Sequence, residues 1–151
     1  MPPLYLGVFL PFNRWKPGTI EVREGDGTLL FVALARGKAD GKAAAAAGNP
    51  KRDPARTNGD TPTGRYAPTA VFRFDPPHET LNRAWIPIEG ETGQALAAKQ
   101  NGRTGLGIHA GRGEELMATY GCLRMRQSDF DEMEALIGTR PVIVTVQEAT
   151  R

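Results

Sequence analysis

Short segments that alternate between hydrophobic and polar residues, separated by glycine and proline, run through most of this chain. The clearest is a hairpin over residues 19–36. In it, residues 19–23 alternate, Gly25-Asp26-Gly27 supplies the turn, and residues 29–34 return as a more buried strand. Residues 141–146 form a further strand near the C-terminus. The pattern predicts a mainly β fold with one or two short helices.

Two segments have the features of short helices. Residues 94–100 are expected to form one or two helical turns before Asn101-Gly102 stops them. In the second segment, Ser128 is expected to cap a helix whose apolar residues recur at helical spacing as far as Ile137. Gly138 is expected to end that helix, and we interpret it as a structural element.

The first fifteen residues are apolar, but Pro2, Pro3 and Pro11 interrupt them and the positive charges follow them. That order is unlike an export signal, so residues 1–17 are predicted to form an edge strand or N-terminal extension. If the protein acts outside the cytoplasm, we expect another export route or a leader beyond the given sequence.

Residues 37–60 break the alternation. They hold an alanine run and two turn-like clusters, with six basic residues from Arg36 to Arg56 against Asp40 and Asp53. A loop of this length in a compact domain is commonly functional or mobile. We therefore expect a long basic loop, which is either a solvated excursion or a rim beside a binding site.

Length and composition narrow the possibilities. The chain has 151 residues, the size of one ordinary domain, so residues 1–151 are predicted to form a single domain. Its 18 glycines and 12 prolines favour a β-rich fold with many turns. A net charge of +2 is too small to argue for a nucleic-acid partner. No apolar run approaches the roughly 18 residues of a membrane-spanning helix, and a single cysteine excludes an internal disulfide.

Candidate chemistry is concentrated in residues 107–125. This stretch holds the single cysteine, Cys122, and one of the two histidines, His109. A nearby imidazole or positive charge can activate a thiol as a nucleophile. Gly121 permits a tight turn, and Arg124 shares a face with Cys122 in an extended segment because side chains alternate. Together these residues predict an acyl-transfer site.

Each of these residues also has an ordinary structural interpretation. A lone cysteine is more often a small buried hydrophobic residue than a nucleophile, and an arginine near a strand end is commonly a surface charge. The other histidine, His78, follows two prolines and is expected to be exposed on a turn. Glu114 and Glu115 are expected either to orient His109 or to be solvated.

The segment Thr119-Tyr120-Gly121-Cys122-Leu123-Arg124 resembles the signature of the L,D-transpeptidase (YkuD-like) catalytic domain, in which a histidine precedes Ser-x-Gly-Cys-x-Arg. The family's upstream Thr-Pro-x-Gly turn is similar to Thr61-Pro62-Thr63-Gly64, which Tyr66 follows. A helix and a closing strand with Pro-Val come after the cysteine in both. The likeness covers roughly residues 18–146 and implies an L,D-transpeptidase-like β-sandwich.

The resemblance also implies a specific activity. Cys122 matches the nucleophile, His109 the base, and Gly121 and Arg124 the flanking motif. Similar domains cut the bond between the third residue of a peptidoglycan stem, commonly diaminopimelate, and the D-alanine after it, through a cysteine thioester. They pass the acyl group to another stem's side-chain amine, to a lipoprotein lysine or to a free D-amino acid. Attack by water in place of an amine would give cleavage of the stem. The resemblance implies no cofactor and no metal.

The chain departs from the family at several positions. Ala110 stands where glycine often follows the histidine, Tyr120 where histidine is frequent, and Thr119 where serine is usual. These three residues are expected to contact substrate. The interval between His109 and Cys122 is also short, which implies a trimmed, more open lid. Residues 37–60 would then form a rim for the carboxylates of the stem peptide.

The implied place of action is the periplasm or cell wall. The expected role is either maintenance of the producer's own wall or attack on a neighbour's wall, as an effector with a secretion-system or immunity partner. Two alternatives remain open at the level of sequence. One is a catalytically silent module that binds peptidoglycan stems, and the other is a cytoplasmic protein whose Cys122 is a redox sensor or simply buried.

Overall fold

The computed structural model describes residues 1–111 and 113–149, with the backbone alone at Asn82. The predicted mainly β fold is confirmed, and the described part contains three short helices. The elements are β1 Leu4–Leu10, β2 Gly18–Arg23, β3 Leu29–Ala35, α1 Gly41–Ala46, β4 Gly64–Arg65, β5 Phe72–His78, β6 Asn82–Pro87, α2 Gly93–Gln100, β7 Gly107–His109, β8 Leu123–Arg124, α3 Gln127–Ile137 and β9 Val142–Glu148. None of the described helices is long and apolar enough to cross a lipid bilayer.

The N-terminal strand lies at the centre of the larger sheet. That sheet has the order β3-β2-β1-β9-β4, in which β1 pairs antiparallel with β2 and parallel with β9. Leu4, Leu6, Val8 and Leu10 alternate with outward-facing residues and are fully buried. The prediction of an edge strand is therefore wrong. The prolines on which it depended flank the strand and do not interrupt it, so every residue of β1 can join the ladder.

The predicted hairpin is confirmed, but its second strand is the exposed one. β2 pairs with β3 in an antiparallel ladder from Gly18–Ala35 to Arg23–Leu29. β3 is an edge strand, and its Leu29 and Val32 side chains are 48% and 53% exposed. A continuous apolar run is typical of a strand buried on both faces. Here it lies at a sheet edge, and Ala33 and Ala35 alone complete its buried face.

A second sheet, with the order β5-β6-β7-β8, shares one core with the first. β5, β6 and β7 are antiparallel neighbours, whereas β7 and β8 run parallel. Ile86, Ile108 and Leu123 from this sheet belong to the same buried cluster as the inward residues of β1 and β9. The core therefore lies between the two sheets, and the short parallel pair β7–β8 contributes Ile108 and Leu123 to it.

Helix α3 completes the core, and the carboxylate of Glu114 accepts hydrogen bonds from its first turn. The helix begins at Gln127, and Arg126 is the N-cap residue, so the prediction that Ser128 caps it is wrong. Instead, Ser128 donates from its N–H (3.0 Å) and its hydroxyl (2.6 Å) to the carboxylate of Glu114. Gly138 ends the helix with a φ of 58°, as predicted.

Residues 37–60 are folded rather than a solvated excursion. They contain α1, which Asp40 caps by accepting hydrogen bonds from the N–H groups of Lys42 (2.8 Å) and Ala43 (3.2 Å). The side chain of Asn49 is buried and bonds to the backbone of Asp53 at 2.8 and 3.0 Å. The expected basic loop is thus a small packed unit. Internal hydrogen bonds replace the missing large apolar side chains.

We predict opposite outcomes for leucine truncation in β1 and in β3. Leu6→Ala should lower the free energy of unfolding by about 2–5 kcal/mol, because a fully buried leucine leaves a cavity between the sheets. Leu29→Ala on the exposed edge strand should cost well under about 1 kcal/mol. Urea denaturation of both variants checks this, and equal costs would contradict the central position of β1.

Candidate functional site

The parallel pair β7–β8 brings the predicted site residues onto one side of the small sheet. Ile108 is paired with Leu123 and His109 with Arg124. Because side chains alternate along each strand, Ile108 and Leu123 enter the core. His109, Arg124 and Cys122, which immediately precedes β8, line a cavity together. As expected from the sequence, these residues come from the ends of two neighbouring strands; contact between the thiol and the imidazole remains a prediction.

The cavity has a volume of about 730 Å³. Exposed lining residues form its rim, and they include residues of the packed unit 37–60, the turn after β5 and Tyr120. Buried lining residues include Arg103, His109 and Arg124. The polar lining residues include Asp40, His78, Arg103, Thr119, Tyr120 and Arg124. A cavity of this size is typical of a site for a small molecule or a peptide segment.

The Cys122 thiol is half-buried and protonated at neutral pH. Its S–H donates to the carbonyl oxygen of Gly105 across 3.5 Å. Burial raises the pKa of the thiol above its ordinary value of 9.0. A hydrogen bond from the backbone N–H of Gly107 and the positive charge of Arg103 act in the opposite direction, but burial is the largest effect.

His109 is a neutral imidazole. It is 5% exposed, and burial, followed by the positive charge of Arg124, lowers its pKa to about 4. Its Nδ1 is buried without a hydrogen-bond partner among the described residues. No hydrogen bond joins His109 to Cys122 in the described part of the chain. The two groups therefore line the cavity as an uncharged base and an uncharged thiol, not as a resting ion pair.

Thr119 shapes the turn that carries the thiol. Its hydroxyl donates to the carbonyl of Cys122 (2.8 Å) and accepts from the N–H of Gly121 (2.9 Å). The carbonyl of Gly121 in turn accepts from the Thr61 hydroxyl at 2.6 Å. Thr119 was predicted to contact substrate, and in the structure its hydroxyl is occupied inside the protein. The Gly121 N–H is likewise engaged in a hydrogen bond. It is therefore not available to stabilise the negative charge that would form on a substrate oxygen during acyl transfer.

Gly121 is required by its conformation and by its neighbours. Its φ is 110°, a region that residues with a Cβ rarely adopt. A Cβ there would overlap with the Arg103 guanidinium and with the carbonyl oxygen of Gly59. The glycine of the motif is thus explained by backbone geometry and by close packing against residues 37–60.

Arg103 is the main site residue that sequence reasoning missed. It is 6% exposed and donates hydrogen bonds to four backbone carbonyls, those of Pro54, Gly59, Asp60 and Tyr120. Its guanidinium therefore joins the packed unit 37–60 to the turn that carries Cys122. No local signal marks it, because it is one arginine after the Asn101-Gly102 turn. Its importance comes from carbonyls that are distant in sequence.

The remaining predicted residues differ in their placement. Arg124 is buried, lines the cavity and donates from Nε to the Met125 carbonyl at 3.2 Å, and burial lowers its pKa. Tyr120 lies at the rim with its side chain 68% exposed. Ala110 was predicted to contact substrate. It belongs to the hydrophobic core instead and is absent from the cavity lining.

His78 is exposed, as expected, but it lies in strand β5 and lines the same cavity. Its Nδ1 accepts hydrogen bonds from the N–H groups of Thr80 (3.0 Å) and Leu81 (3.1 Å). Those bonds fix the orientation of the ring. Glu114 holds the start of α3, so the suggestion that it orients His109 is not supported.

Within residues 1–111 and 113–149, no three His, Cys, Asp or Glu side chains come together in an arrangement that could hold a metal ion.

Comparison with known proteins gives the fold alone. No protein-family model matches the sequence, and no curated protein matches it. The structure is similar to that of Bd1075 from Bdellovibrio bacteriovorus, with a TM-score of 0.53 and 16% sequence identity. The match covers 91% of this chain and 46% of that one, so this chain spans less than half the length of its structural neighbour.

We predict that Gly121→Ala will be strongly destabilising and that Gly113→Ala will not. Both glycines have a positive φ, but a Cβ at Gly113 would meet nothing within 4 Å. The control should therefore cost about 1–2 kcal/mol for backbone strain alone. Gly121→Ala should cost more, because Arg103 must also move from its carbonyl partners. Thermal and urea unfolding measure both, and equal costs would refute the close packing.

We predict that alkylation of Cys122 by iodoacetamide will keep accelerating as the pH is raised through 9.0, because burial raises the thiol pKa. An unstructured peptide with one cysteine is the control and should reach its plateau at lower pH. An inflection for the protein between about pH 5 and pH 7 would contradict the uncharged resting pair, since a thiolate–imidazolium pair titrates there.

Proposed function

We propose that this protein is a cysteine acyltransferase of the L,D-transpeptidase type that acts on peptidoglycan stem peptides. The observation that carries the proposal is the placement of Cys122 and His109 on the same side of adjacent parallel strands, both lining one cavity. The resemblance of residues 119–124 to the family signature supplies the reaction class. The fold likeness is compatible with this proposal and adds no activity to it.

The chemistry follows from the two uncharged groups. When a peptide enters the cavity, His109 accepts the thiol proton as the Cys122 sulfur forms a bond to the scissile carbonyl carbon. The carbon–nitrogen bond then breaks, and the imidazolium returns the proton to the leaving amine. A second amine, or water, attacks the thioester and releases the thiol. Arg103 and Arg124 supply positive potential for the charge that develops on oxygen.

The proposed substrate is a stem whose third residue, commonly diaminopimelate, is joined to a D-alanine. The acceptor is a second stem, a D-amino acid or water, which gives cross-linking, exchange or cleavage respectively. The proposed place of action is the periplasm or cell wall, where such stems occur. The proposal includes delivery as an antibacterial effector, in which case a secretion or immunity partner is required.

A catalytically silent stem-binding module is the second candidate. Two observations favour it: burial raises the pKa of Cys122, and no hydrogen bond joins that thiol to His109 among the described residues. In that case the cavity would hold the peptide without forming a thioester. Incubation of the protein with a tetrapeptide stem separates the two candidates.

We predict that incubation with a disaccharide tetrapeptide, with and without D-methionine, will give a new product detectable by mass spectrometry. An exchanged tetrapeptide indicates a transpeptidase, and a tripeptide indicates a carboxypeptidase. Cys122→Ala should abolish either product with its fold intact, because a half-buried thiol is small. If the folded wild-type protein binds the peptide and forms no product, the enzyme hypothesis is rejected and the binding module is supported.

A further inference from the structure

We propose that Asp40 determines which peptides this site accepts, by binding an ammonium group on the side chain of the residue that donates the acyl group. The inference rests on the proposed function, since it concerns the substrate of the same cavity. It assigns a binding role to a carboxylate of the cavity lining that takes no part in the proposed reaction steps.

The distribution of charge in the cavity is the first observation. Among the described lining residues, Asp40 is the single carboxylate, whereas Arg103 and Arg124 are buried cations near the thiol. Carboxylates of a substrate are therefore attracted towards the thiol end of the cavity. An ammonium group finds its complementary charge at Asp40, on the rim formed by residues 37–60.

The state of the Asp40 side chain is the second observation. Its Oδ1 accepts both capping hydrogen bonds, from Lys42 (2.8 Å) and Ala43 (3.2 Å), so the second oxygen is not used by the cap. Those backbone bonds, and then the charges of Lys38 and Lys42, keep the pKa of the carboxyl below its ordinary value of 3.8. Asp40 is thus ionised at neutral pH, exposed to the cavity and held in one orientation.

The position of Asp40 relative to the nucleophile is the third observation. Its N–H donates to the carbonyl of Thr119 at 2.7 Å, and the Thr119 hydroxyl donates to the carbonyl of Cys122 at 2.8 Å. The main chain of Asp40 is therefore bonded to the turn that carries the thiol. A ligand that reaches both groups needs an acyl carbon at the thiol and an ammonium on an aliphatic side chain at the carboxylate.

The neighbouring cations do not neutralise Asp40 by contact. Lys38 points elsewhere, with its Nζ 4.1 Å from the centre of the Trp15 ring and bonded to the Ala39 carbonyl. Lys42 is exposed on α1. In residues 1–111 and 113–149, no cation forms an ion pair with Asp40 within 4.0 Å. A substrate ammonium would also displace water there, which strengthens its attraction to the carboxylate.

The test compares two tetrapeptides that differ by one charge. Both end in D-alanine, and their third residue is lysine in one and norleucine in the other. We expect wild-type protein to prefer the lysine peptide in kcat/KM by about fivefold at low salt, with the preference shrinking as salt is added. Asp40→Asn should abolish this preference by lowering kcat/KM for the lysine peptide to the value for the norleucine peptide.

Asparagine is a suitable replacement because it caps helices as well as aspartate does, so α1 should remain folded. Asp26→Asn is the matched control. Asp26 also accepts a backbone hydrogen bond, from Thr28 at 2.9 Å, but it lies in the β2–β3 hairpin turn outside the cavity lining. The Asp26→Asn variant changes the net charge by the same amount as Asp40→Asn. It should keep the wild-type preference for the lysine peptide.

The same two peptides are also titrated against Cys122→Ala and Cys122→Ala/Asp40→Asn by calorimetry. If the wild-type protein turns over neither peptide, the proposed reaction fails, and tighter binding of the lysine peptide that depends on Asp40 still supports this inference. Equal affinities for the two peptides, or a preference that survives Asp40→Asn, would overturn it whether or not turnover is seen.

Discussion

The site depends on one buried cation, the guanidinium of Arg103. A charge removed from water is costly unless hydrogen bonds replace its hydration. Here backbone carbonyls do so, from the packed unit 37–60 and from Tyr120, which lies two residues before Cys122. Among the described residues, no carboxylate forms an ion pair with it, so its positive field reaches the cavity. The hydrogen bonds of Arg103 therefore hold the cavity rim in place. Its positive charge lowers the pKa of the Cys122 thiol, which burial raises.

That balance makes the reactivity of the thiol depend on what occupies the cavity. Burial keeps both Cys122 and His109 uncharged at rest, although each lines the same cavity. In the proposed reaction, proton transfer creates a thiolate and an imidazolium. The charge of Arg103 favours the thiolate, whereas the charge of Arg124 opposes the imidazolium, so the bound substrate must supply the remaining stabilisation. An uncharged thiol is also less prone to oxidation than a thiolate. In the proposed enzyme, the resting thiol is therefore protected from oxidation until substrate binds.

The sequence was informative where structure is decided by near neighbours. The β2–β3 hairpin, the end of α3 at Gly138 and the shared orientation of Cys122 and Arg124 all follow from spacing and turn chemistry. The central position of β1 did not, because its second partner is β9, more than a hundred residues away. The folded state of residues 37–60 and the role of Arg103 were missed for the same reason. Both depend on hydrogen bonds to backbone groups, and every residue type has the same backbone groups. The prediction that Ala110 contacts substrate was wrong for a different reason, because a sequence motif does not show which of its residues are buried.

The parallel pairing of β1 with β9 has a consequence for how this protein folds. Leu4 is paired with Val142 and Leu10 with Glu148, so two strands more than a hundred residues apart meet in the middle of the larger sheet. The β1–β2–β3 meander consists of local pairings and is synthesised first, so one side of β1 lacks its neighbour until β9 has been made. Loop closure over such a separation is slow. The larger sheet is therefore completed late in folding, and β1 presents an unpaired apolar edge until then.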